Sequence, residues 1–265
     1  MFLLNFCISD GYFPNELKIG CITPIYKNSS KSDIKNYRPV CSLSPFSKIF
    51  ERIIYNRMID FIDKNSILSS NQFGFRKGLS TESAIIQFID KIHNGLNKRH
   101  HTIAIFMDLS KAFDVLDHSI LSNKLEHYGF RGKFLELLMS FISNRKYFVN
   151  ANGFKSNTKT VNIGVPQGST LGPLLFLIYV NDMCNSSSIL SFTQFADDTT
   201  ITHSGPNLET ITNEIENELE KVLDWLLANK LIVNLNKTHS MLFTNKRVER
   251  KISIKAKNTT LEQKK

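Results

Sequence analysis

Three carboxylates stand where the sequence around them is otherwise largely apolar. Asp108 ends an apolar run, and Asp197 and Asp198 lie between two further apolar runs. Clustered carboxylates repel one another unless a cation lies between them. Oxygen ligands of this kind suit Mg²⁺, and two such ions about 3.5–4 Å apart stabilise both the attacking and the leaving oxygens of a phosphoryl displacement. On these residues alone, a helix cap at Asp108 and a polar turn at Asp197 and Asp198 remain the alternative.

Short apolar strands are predicted to carry these aspartates. The segment 102–108 has the composition of a buried strand, and segments 192–195 and 199–202 flank Ala-Asp-Asp as a tight hairpin. If these strands pair in the centre of one sheet, the three carboxylates meet at one end of it. Further strands are predicted at 147–149 and 158–163, around an Asn152-Gly153 turn, and at 231–234 and 240–243.

Helical periodicity predicts the elements between the strands. Apolar residues recur every three or four positions over 46–62 and 85–96, and Ser80 or Thr81 caps the second helix. Other helices are predicted at 118–128, 132–143 and 208–228. The predicted fold class is therefore α+β, with helices packed on one side of a small antiparallel sheet.

Composition and charge limit the function classes. The chain has 265 residues with 42% hydrophobic and 22% charged content, which is typical of a globular protein of one large domain or two lobes. The net charge of +9 favours a polyanionic partner, although residues 246–265 alone carry +6. The cysteines show no metal-binding or paired spacing, which indicates reduced thiols and an intracellular protein. No apolar run is long enough to cross a membrane, so no membrane partner is expected.

Three segments in order resemble the central palm motifs of reverse transcriptases. They are Phe-Met-Asp-Leu-Ser-Lys-Ala-Phe-Asp around Asp108, Gly-Val-Pro-Gln-Gly-Ser around Gln167, and Phe-Ala-Asp-Asp ending at Asp198. The first segment, with Leu-Asp-His behind it, is similar to the non-LTR (LINE-type) retrotransposons, with a jockey-like branch as the nearest form. Flanking segments around Arg38, Arg76 and Lys237 are similar to motifs of the same group.

The resemblance implies an RNA-directed DNA polymerase with a right-hand fingers-and-palm fold. Asp108, Asp197 and Asp198 would be catalytic ligands of two Mg²⁺ ions, with Mn²⁺ as a possible substitute. Lys237 would be the catalytic acid that protonates the leaving pyrophosphate. The implied partners are an RNA template, a DNA primer and deoxynucleoside triphosphates, in a nuclear or cytoplasmic ribonucleoprotein.

The resemblance also implies which residues contact the nucleotide and the template. Phe113 would exclude a 2′-hydroxyl, Gln167 would lie near the nucleotide and the template base, and Leu109 would line the nucleotide site. Lys27 and Arg38 would bind the triphosphate, where a guanidinium suits bidentate phosphate contact. Arg76 and Lys77 would contact the template backbone. For each residue, the alternative is an ordinary core, cap or surface position.

The implied organisation is fingers at 1–100, truncated at the N-terminus, palm at 101–245, and a basic, disordered tail at 246–265. We expect the helical thumb and the preceding endonuclease domain to be missing. That expectation leads to a second hypothesis: the chain is a catalytically idle nucleic-acid-binding remnant of such an element. A metal-dependent phosphatase or nuclease is disfavoured by the sequence around Phe113 and Gln167.

Overall fold

The chain divides into two compact units, each built from two stretches of sequence. The computed structural model describes residues 2–28, 30–151, 153–247, 252–257 and 259–264, with the side chains of Phe2 and Leu3 left out. The first unit contains Met1–Ile67 and Phe113–Tyr179, and the second contains Leu68–Ala112 and Val180–Lys265. These units do not follow the predicted linear division into 1–100 and 101–245, which stays a prediction about functional regions.

Helices and strands are interleaved along the chain, which confirms the predicted α+β class. The described α-helices are α1 Phe2–Asp10, α2 Pro45–Lys64, α3 Thr81–Asn97, α4 His118–His127, α5 Gly132–Ile142, α6 Gly172–Val180 and α7 Leu208–Ala228. The described strands are β1 Ile19–Tyr26, β2 Tyr37–Ser42, β3 His101–Met107, β4 Arg145–Ala151, β5 Phe154–Lys155, β6 Lys159–Val161, β7 Ser191–Phe195, β8 Asp198–Gly205, β9 His239–Phe243, β10 Ile254–Ala256 and β11 Thr259–Lys264. No helix among the described residues is long and apolar enough to span a bilayer.

The first unit contains a five-stranded sheet in the order β2-β1-β4-β5, with β6 also paired to β4. Helix α2 starts where predicted, because the Ser44 side chain accepts a hydrogen bond from the Ser47 amide and Pro45 occupies the first turn. Its apolar stripe is buried only in part. Phe50 packs on Phe13 in the core, whereas Phe46 is 75% exposed and Ile49 is 54% exposed. The periodicity identifies the helix but not the length of its buried stripe.

The second unit contains a six-stranded sheet in the order β10-β11-β9-β3-β8-β7. Strand β3 lies inside this sheet and pairs antiparallel with both β8 and β9. Consecutive residues from His101 to Ile105 are all buried, so both faces of β3 are covered rather than one. Helix α3 covers the face that carries Phe106 and Phe243, since the Phe88 ring contacts both.

Two predicted details of the second unit are wrong. Periodicity predicts that Ile85 and Ile89 of α3 lie on its buried stripe, but they are 53% and 43% exposed. Residues 231–234 form no strand, and Val233 makes only an isolated bridge to Leu109. In both cases the sequence pattern fits the predicted element, but the rest of the fold supplies no surface or strand for these residues to pair with.

The predicted hairpins are present in the described residues. Strands β7 and β8 form the tight hairpin, with Phe195 opposite Asp198. Strand β4 pairs with β5 and with β6. The turn expected at Asn152-Gly153 lies partly outside the described residues, because Asn152 is not described.

The tail expected to be disordered is a hairpin where it is described. Strands β10 and β11 pair antiparallel, and β11 pairs parallel with β9. Ile254 and Ala256 alternate with lysine and are buried, as is Leu261 on the second strand. The high net charge of residues 246–265 obscured this short alternation of apolar and polar residues. The alternation is long enough to give the hairpin one apolar face, which packs on the second unit.

Candidate active site

Asp108 and Asp198 lie opposite each other at the same end of the second unit's sheet. The antiparallel register of β3 and β8 pairs Met107 with Thr199. One step further along that register places Asp108 across from Asp198, where side chains of directly opposite residues point to the same face. The predicted convergence of the two strand ends is confirmed.

Asp197 belongs to the two-residue turn between β7 and β8. Ala196 is the first residue of that turn, and its φ is +56°. A residue with a Cβ atom rarely adopts this backbone conformation, which is typical of the first turn position in a tight hairpin where glycine is usual. The turn therefore depends on surrounding contacts that hold Ala196.

The three carboxylates interact electrostatically. The pKa of Asp198 is raised, first by partial burial and then by the negative charges of Asp197 and Asp108. The Lys237 ammonium lies 3.8 Å from Asp108 Oδ2 and its side chain is 69% exposed. An exposed ion pair at this distance is weak, so Lys237 offsets only part of the negative charge.

Backbone contacts connect Lys237 to Asp108. The amide of Asn234 donates to the carbonyl of Asp108 at 2.8 Å. The amide of Lys237 then donates to the carbonyl of Asn234 at 3.0 Å, which forms a turn. Leu109 is buried beside this turn and bridges Val233, so its side chain faces the protein interior.

The donor set suits a hard divalent cation. Carboxylate oxygens are the ligands that Mg²⁺ prefers, and a cation among these three would relieve the repulsion that, after partial burial, raises the pKa of Asp198. As they stand, no group of three His, Cys, Asp or Glu side chains in the described part of the chain is arranged to hold an ion. The fit therefore depends on donor chemistry and proximity, and ligation requires the carboxylates to turn toward a common point.

Arg76 and Lys77 lie in a loop of the second unit. Arg76 Nη1 donates to the carbonyls of Ser69 at 2.8 Å and Gln72 at 3.1 Å. That contact closes the loop on itself, while the neighbouring Lys77 is exposed. A template contact by either side chain stays a prediction.

Gln167 lies in the first unit, in the turn before α6. Its Nε2 atom donates to Asp114 Oδ1 at 2.6 Å, and its carbonyl accepts from the amide of Cys41 on β2 at 3.0 Å. Gly168 has φ +103° and a Cβ there would meet the carbonyl of Cys41 at 2.5 Å. The turn therefore lies directly on the β2 backbone.

Phe113 is half-buried in the first unit, where its ring stacks on Phe176 with centroids 4.6 Å apart. Its carbonyl accepts from the amide of Val165 at 2.9 Å. Gly164 must lack a side chain, since a Cβ would meet the carbonyl of Asp114 at 2.6 Å. Phe113 and Gln167 are thus held on neighbouring segments of one unit.

Lys27 and Arg38 lie at the β1–β2 hairpin of the first unit. Arg38 pairs with Ile25 in the strand register, and the amide of Lys27 donates to the carbonyl of Asn36 at 2.8 Å. Both side chains are exposed. The structure groups the predicted residues by unit, and their assembly around one nucleotide stays a prediction.

Three polar residues with clear roles in these turns were not predicted. Glu51 is fully buried on the apolar stripe of α2 and accepts from the amides of Thr170 at 2.7 Å and Leu171 at 3.3 Å. Gln72 is also buried, and Asp114 pairs with Gln167. For Glu51, the signal in the sequence was a charged residue on the apolar face of a predicted helix. For Gln72, it was the glycine two residues further along the chain.

Comparison with known proteins gives consistent results. The family model described as "Reverse transcriptase (RNA-dependent DNA polymerase)" matches residues 25–262. A probable RNA-directed DNA polymerase from transposon X-element of Drosophila melanogaster is 30% identical over 89% of this chain and 26% of its own length. The RNA-directed DNA polymerase from mobile element jockey of the same species is 27% identical over 92% of this chain and 27% of its own length. The chain therefore spans about a quarter of the length of these relatives.

Solved telomerase structures share the fold. Telomerase from Candida albicans, in complex with a fragment of telomeric RNA, has a TM-score of 0.61 at 17% identity, covering 95% of this chain and 47% of that one. Apo telomerase from Candida tropicalis, truncated from its C-terminal domain, has a TM-score of 0.60 at 16% identity, covering 91% and 53%.

Proposed function

The chain belongs to the reverse transcriptase (RNA-dependent DNA polymerase) family, and on that basis we propose that it extends a DNA primer on an RNA template. Deoxynucleoside triphosphates are the proposed substrates and pyrophosphate the second product. The observation that carries the proposal is the placement of Asp108 and Asp198 opposite each other at one sheet end, beside the Asp197 turn. We place this activity in a nuclear or cytoplasmic ribonucleoprotein, as in a LINE-type element.

Asp108, Asp197 and Asp198 are the residues that would hold two Mg²⁺ ions. When bound, these ions supply Lewis-acid stabilisation of the charge on the attacking and leaving oxygens. The aspartates would fix the positions of these ions, and their negative charge favours the entry of cations. Most of the catalysis in phosphoryl transfer is positioning and charge neutralisation, which suits a site built from fixed carboxylates.

Lys237 is the proposed proton donor to the leaving pyrophosphate. Its ammonium is held near the metal site by the 3.8 Å contact with Asp108, and its exposed side chain is free to turn toward a phosphate. Protonation of the leaving group lowers the charge that develops on it in the transition state.

The remaining proposed contacts are with the nucleotide and with the template. Phe113, stacked on Phe176, selects deoxyribose by leaving no room for a 2′-hydroxyl, and Gln167 contacts the nucleotide and template base. Leu109 lines the nucleotide site through its main chain, since its side chain is buried. The exposed Lys27 and Arg38 bind the triphosphate. Lys77, and Arg76 through the nitrogens not used inside its loop, bind the template backbone.

Primer extension tests the proposal. The folded protein, poly(rA)/oligo(dT), dTTP and Mg²⁺ are expected to give dTMP incorporation. Asp197→Ala should lower it at least about 1,000-fold, because removal of a metal ligand costs several kcal/mol of transition-state stabilisation. Asp224→Ala is the matched control, since Asp224 is an exposed carboxylate on α7 of the same unit.

A failure of primer extension would also be informative. Absence of incorporation by a wild-type protein with a normal circular dichroism spectrum would reject the polymerase. The affinity for the RNA–DNA duplex, measured against salt, would then separate a nucleic-acid-binding remnant from an inert one, because binding through phosphates weakens steeply as salt rises.

A further inference from the structure

The side chain of Gln72 holds the turn that carries Asp197. Gln72 is 1% exposed. Its Oε1 atom accepts from the amide of Ala196 at 3.0 Å, and its Nε2 atom donates to the carbonyl of Ala196 at 3.3 Å. One side-chain amide therefore satisfies both main-chain polar groups of the residue immediately before the aspartate pair.

The residue that Gln72 holds is the one whose backbone most needs support. Ala196 has φ +56°, a conformation that residues with a Cβ atom rarely adopt without surrounding contacts. Contacts to its amide and its carbonyl fix the peptide groups on both sides of the residue. The direction in which Asp197 and Asp198 leave the turn is set by those peptide groups.

The backbone around Gln72 supports the same hairpin. The amide of Phe73 donates to the carbonyl of Gln194, and the amide of Gln194 donates to the carbonyl of Asn71, both at 2.8 Å. These bonds add a short parallel bridge to β7. The position of Gln72 relative to the turn is therefore set by main-chain hydrogen bonds as well as by its side chain.

Gly74 shows how closely this segment approaches the turn. The amide of Gly74 donates to Gln72 Oε1 at 2.8 Å, so one oxygen serves both Gly74 and Ala196. A Cβ at position 74 would clash with the amide nitrogen of Ala196. Any side chain there would displace the turn.

We propose that Gln72 is a positioning residue: it holds the backbone of the turn that carries Asp197 and Asp198, from which their carboxylates turn to bind the divalent cation. This inference rests on the proposed function, which makes the aspartates metal ligands. A neutral amide suits the role because it fixes the backbone without adding another charge to a site that already contains three carboxylates.

The test measures metal binding separately from activity. Mn²⁺ alone is titrated and followed by electron paramagnetic resonance, and the specific site is the binding that Asp197→Ala removes. Gln72→Met replaces the amide with an apolar side chain of similar length. We expect it to weaken Mn²⁺ binding at this site about 10- to 100-fold, which is typical for the loss of a residue that orients metal ligands.

Primer extension by the same variant should show a fall in kcat of similar size, with a KM for dTTP within about threefold of wild type. That split is expected because Gln72 acts on the metal ligands and not on the residues proposed to bind the nucleotide. Because an unfolded fraction would also lower the apparent kcat, the folded fraction of each variant is measured by circular dichroism.

Gln194→Met is the matched control. Gln194 is also 1% exposed, and its side chain contacts Cys184 and Met183 rather than the turn. It should change Mn²⁺ affinity less than about threefold. If Gln72→Met does not fold, Gln72→Asn, which keeps the amide but is too short to reach Ala196, should give the loss predicted for it.

The proposal is overturned if a folded Gln72 variant binds Mn²⁺ within about threefold of wild type, or if Gln194→Met causes the same loss. It is also overturned if the wild type has no Asp197-dependent Mn²⁺ site. Specific Mn²⁺ binding that depends on Gln72, without primer extension by the wild type, would support the positioning role and reject only the polymerase.

Discussion

The Ala196–Asp198 turn of the second unit and the Thr170–Leu171 segment of the first are both held by a buried polar side chain, but the two side chains differ in charge. Gln72 is a neutral amide that contacts Ala196 through a donor and an acceptor. Glu51 is a carboxyl group that accepts from the amides of Thr170 and Leu171. In each case the buried group matches the electrostatics of the segment it holds.

The difference in charge between Gln72 and Glu51 follows from the residues in the segment that each side chain holds. Thr170 and Leu171 lead into α6, and the amides at the start of a helix carry partial positive charge, which a carboxylate stabilises. Asp197 and Asp198 instead belong to a cluster of negative charge. A carboxylate in the place of Gln72 would add to the negative charge that, together with partial burial, raises the pKa of Asp198, so a neutral group is the suitable support there.

Removal of Glu51 should have the largest effect on stability. Glu51→Ala is expected to lower the free energy of unfolding by about 3–5 kcal/mol, because it removes buried, charge-assisted hydrogen bonds and leaves amides without partners. Urea unfolding followed by circular dichroism measures the loss. Glu126→Ala, an exposed glutamate of α4 in the same unit, should change stability by less than about 0.5 kcal/mol. A loss below about 1 kcal/mol for Glu51→Ala would contradict a supporting role.

The Lys91 side chain stabilises β7 of the second unit, and its charge depends on pH. It donates to the carbonyl of Phe192 at 2.7 Å and to Thr193 Oγ1 at 2.9 Å, and burial lowers its pKa to about 8. Between pH about 8 and the ordinary lysine pKa, the unfolded chain binds more protons than the folded one. Stability should therefore rise with pH over that interval, by about 1–2 kcal/mol once solvent screening of this partly exposed side chain is allowed for.

The comparison that isolates this effect is Lys91→Met. Unfolding in urea at about pH 8 and at about pH 10.5 should show the rise for wild type and a smaller rise for the variant. Identical pH profiles for the two proteins would mean that Lys91 is solvated rather than desolvated by its contacts with β7.

The Gln167–Asp114 contact should contribute less than Glu51, because both side chains are half-buried. Its 2.6 Å length and the charged acceptor indicate a charge-assisted hydrogen bond. A double-mutant cycle with Gln167→Ala and Asp114→Ala is expected to give a coupling energy of about 1–2 kcal/mol in unfolding experiments. Additive effects would show that the two side chains do not stabilise the fold through each other, and that main-chain contacts such as the one with Cys41 orient the turn.

The smallest predicted effect concerns Asp198, and its dependence on pH is opposite to that of Lys91. Because the folded pKa of Asp198 is raised above its unfolded value, the folded state binds more protons there and loses stability as pH rises through that range. At about pH 7.5, Asp198→Asn should therefore raise the melting temperature of the metal-free protein, on the order of 2 °C. The gain should vanish at a pH of about 3.5 or below, where the group is protonated in both states. Thermal scans without and with Mg²⁺ would also show whether the cation stabilises wild type more than the variant.

The aspartate site was predictable because it depends on strand order and register. The apolar run before Asp108 and the two runs around Asp197 and Asp198 specify an antiparallel pairing that brings the three together. The supports were not predictable in the same way. Glu51 and Gln72 act on main-chain groups 119 and 124 residues away, and no local pattern specifies such partners.

The tail shows the reverse situation. Its composition predicted disorder, yet Ile254 and Leu261 find buried positions because β9 offers an unpaired edge. In α3, by contrast, periodicity predicted burial, yet Ile85 and Ile89 are exposed. The apolar stripe of this helix is longer than the surface that it covers. Sequence periodicity describes the surface that an element could bury, and the tertiary partner decides how much of it is buried.

The pairing of β11 with β9 has a practical consequence. A chain cut after Thr244 would keep every aspartate of the site but would leave β9 as an edge strand with a free row of amides and carbonyls. Unprotected edges of this kind add strands from other molecules and lead to aggregation. By covering the edge of β9, strand β11 thus protects the protein from aggregation, and shortened versions prepared for biochemical work should retain residues through Lys264.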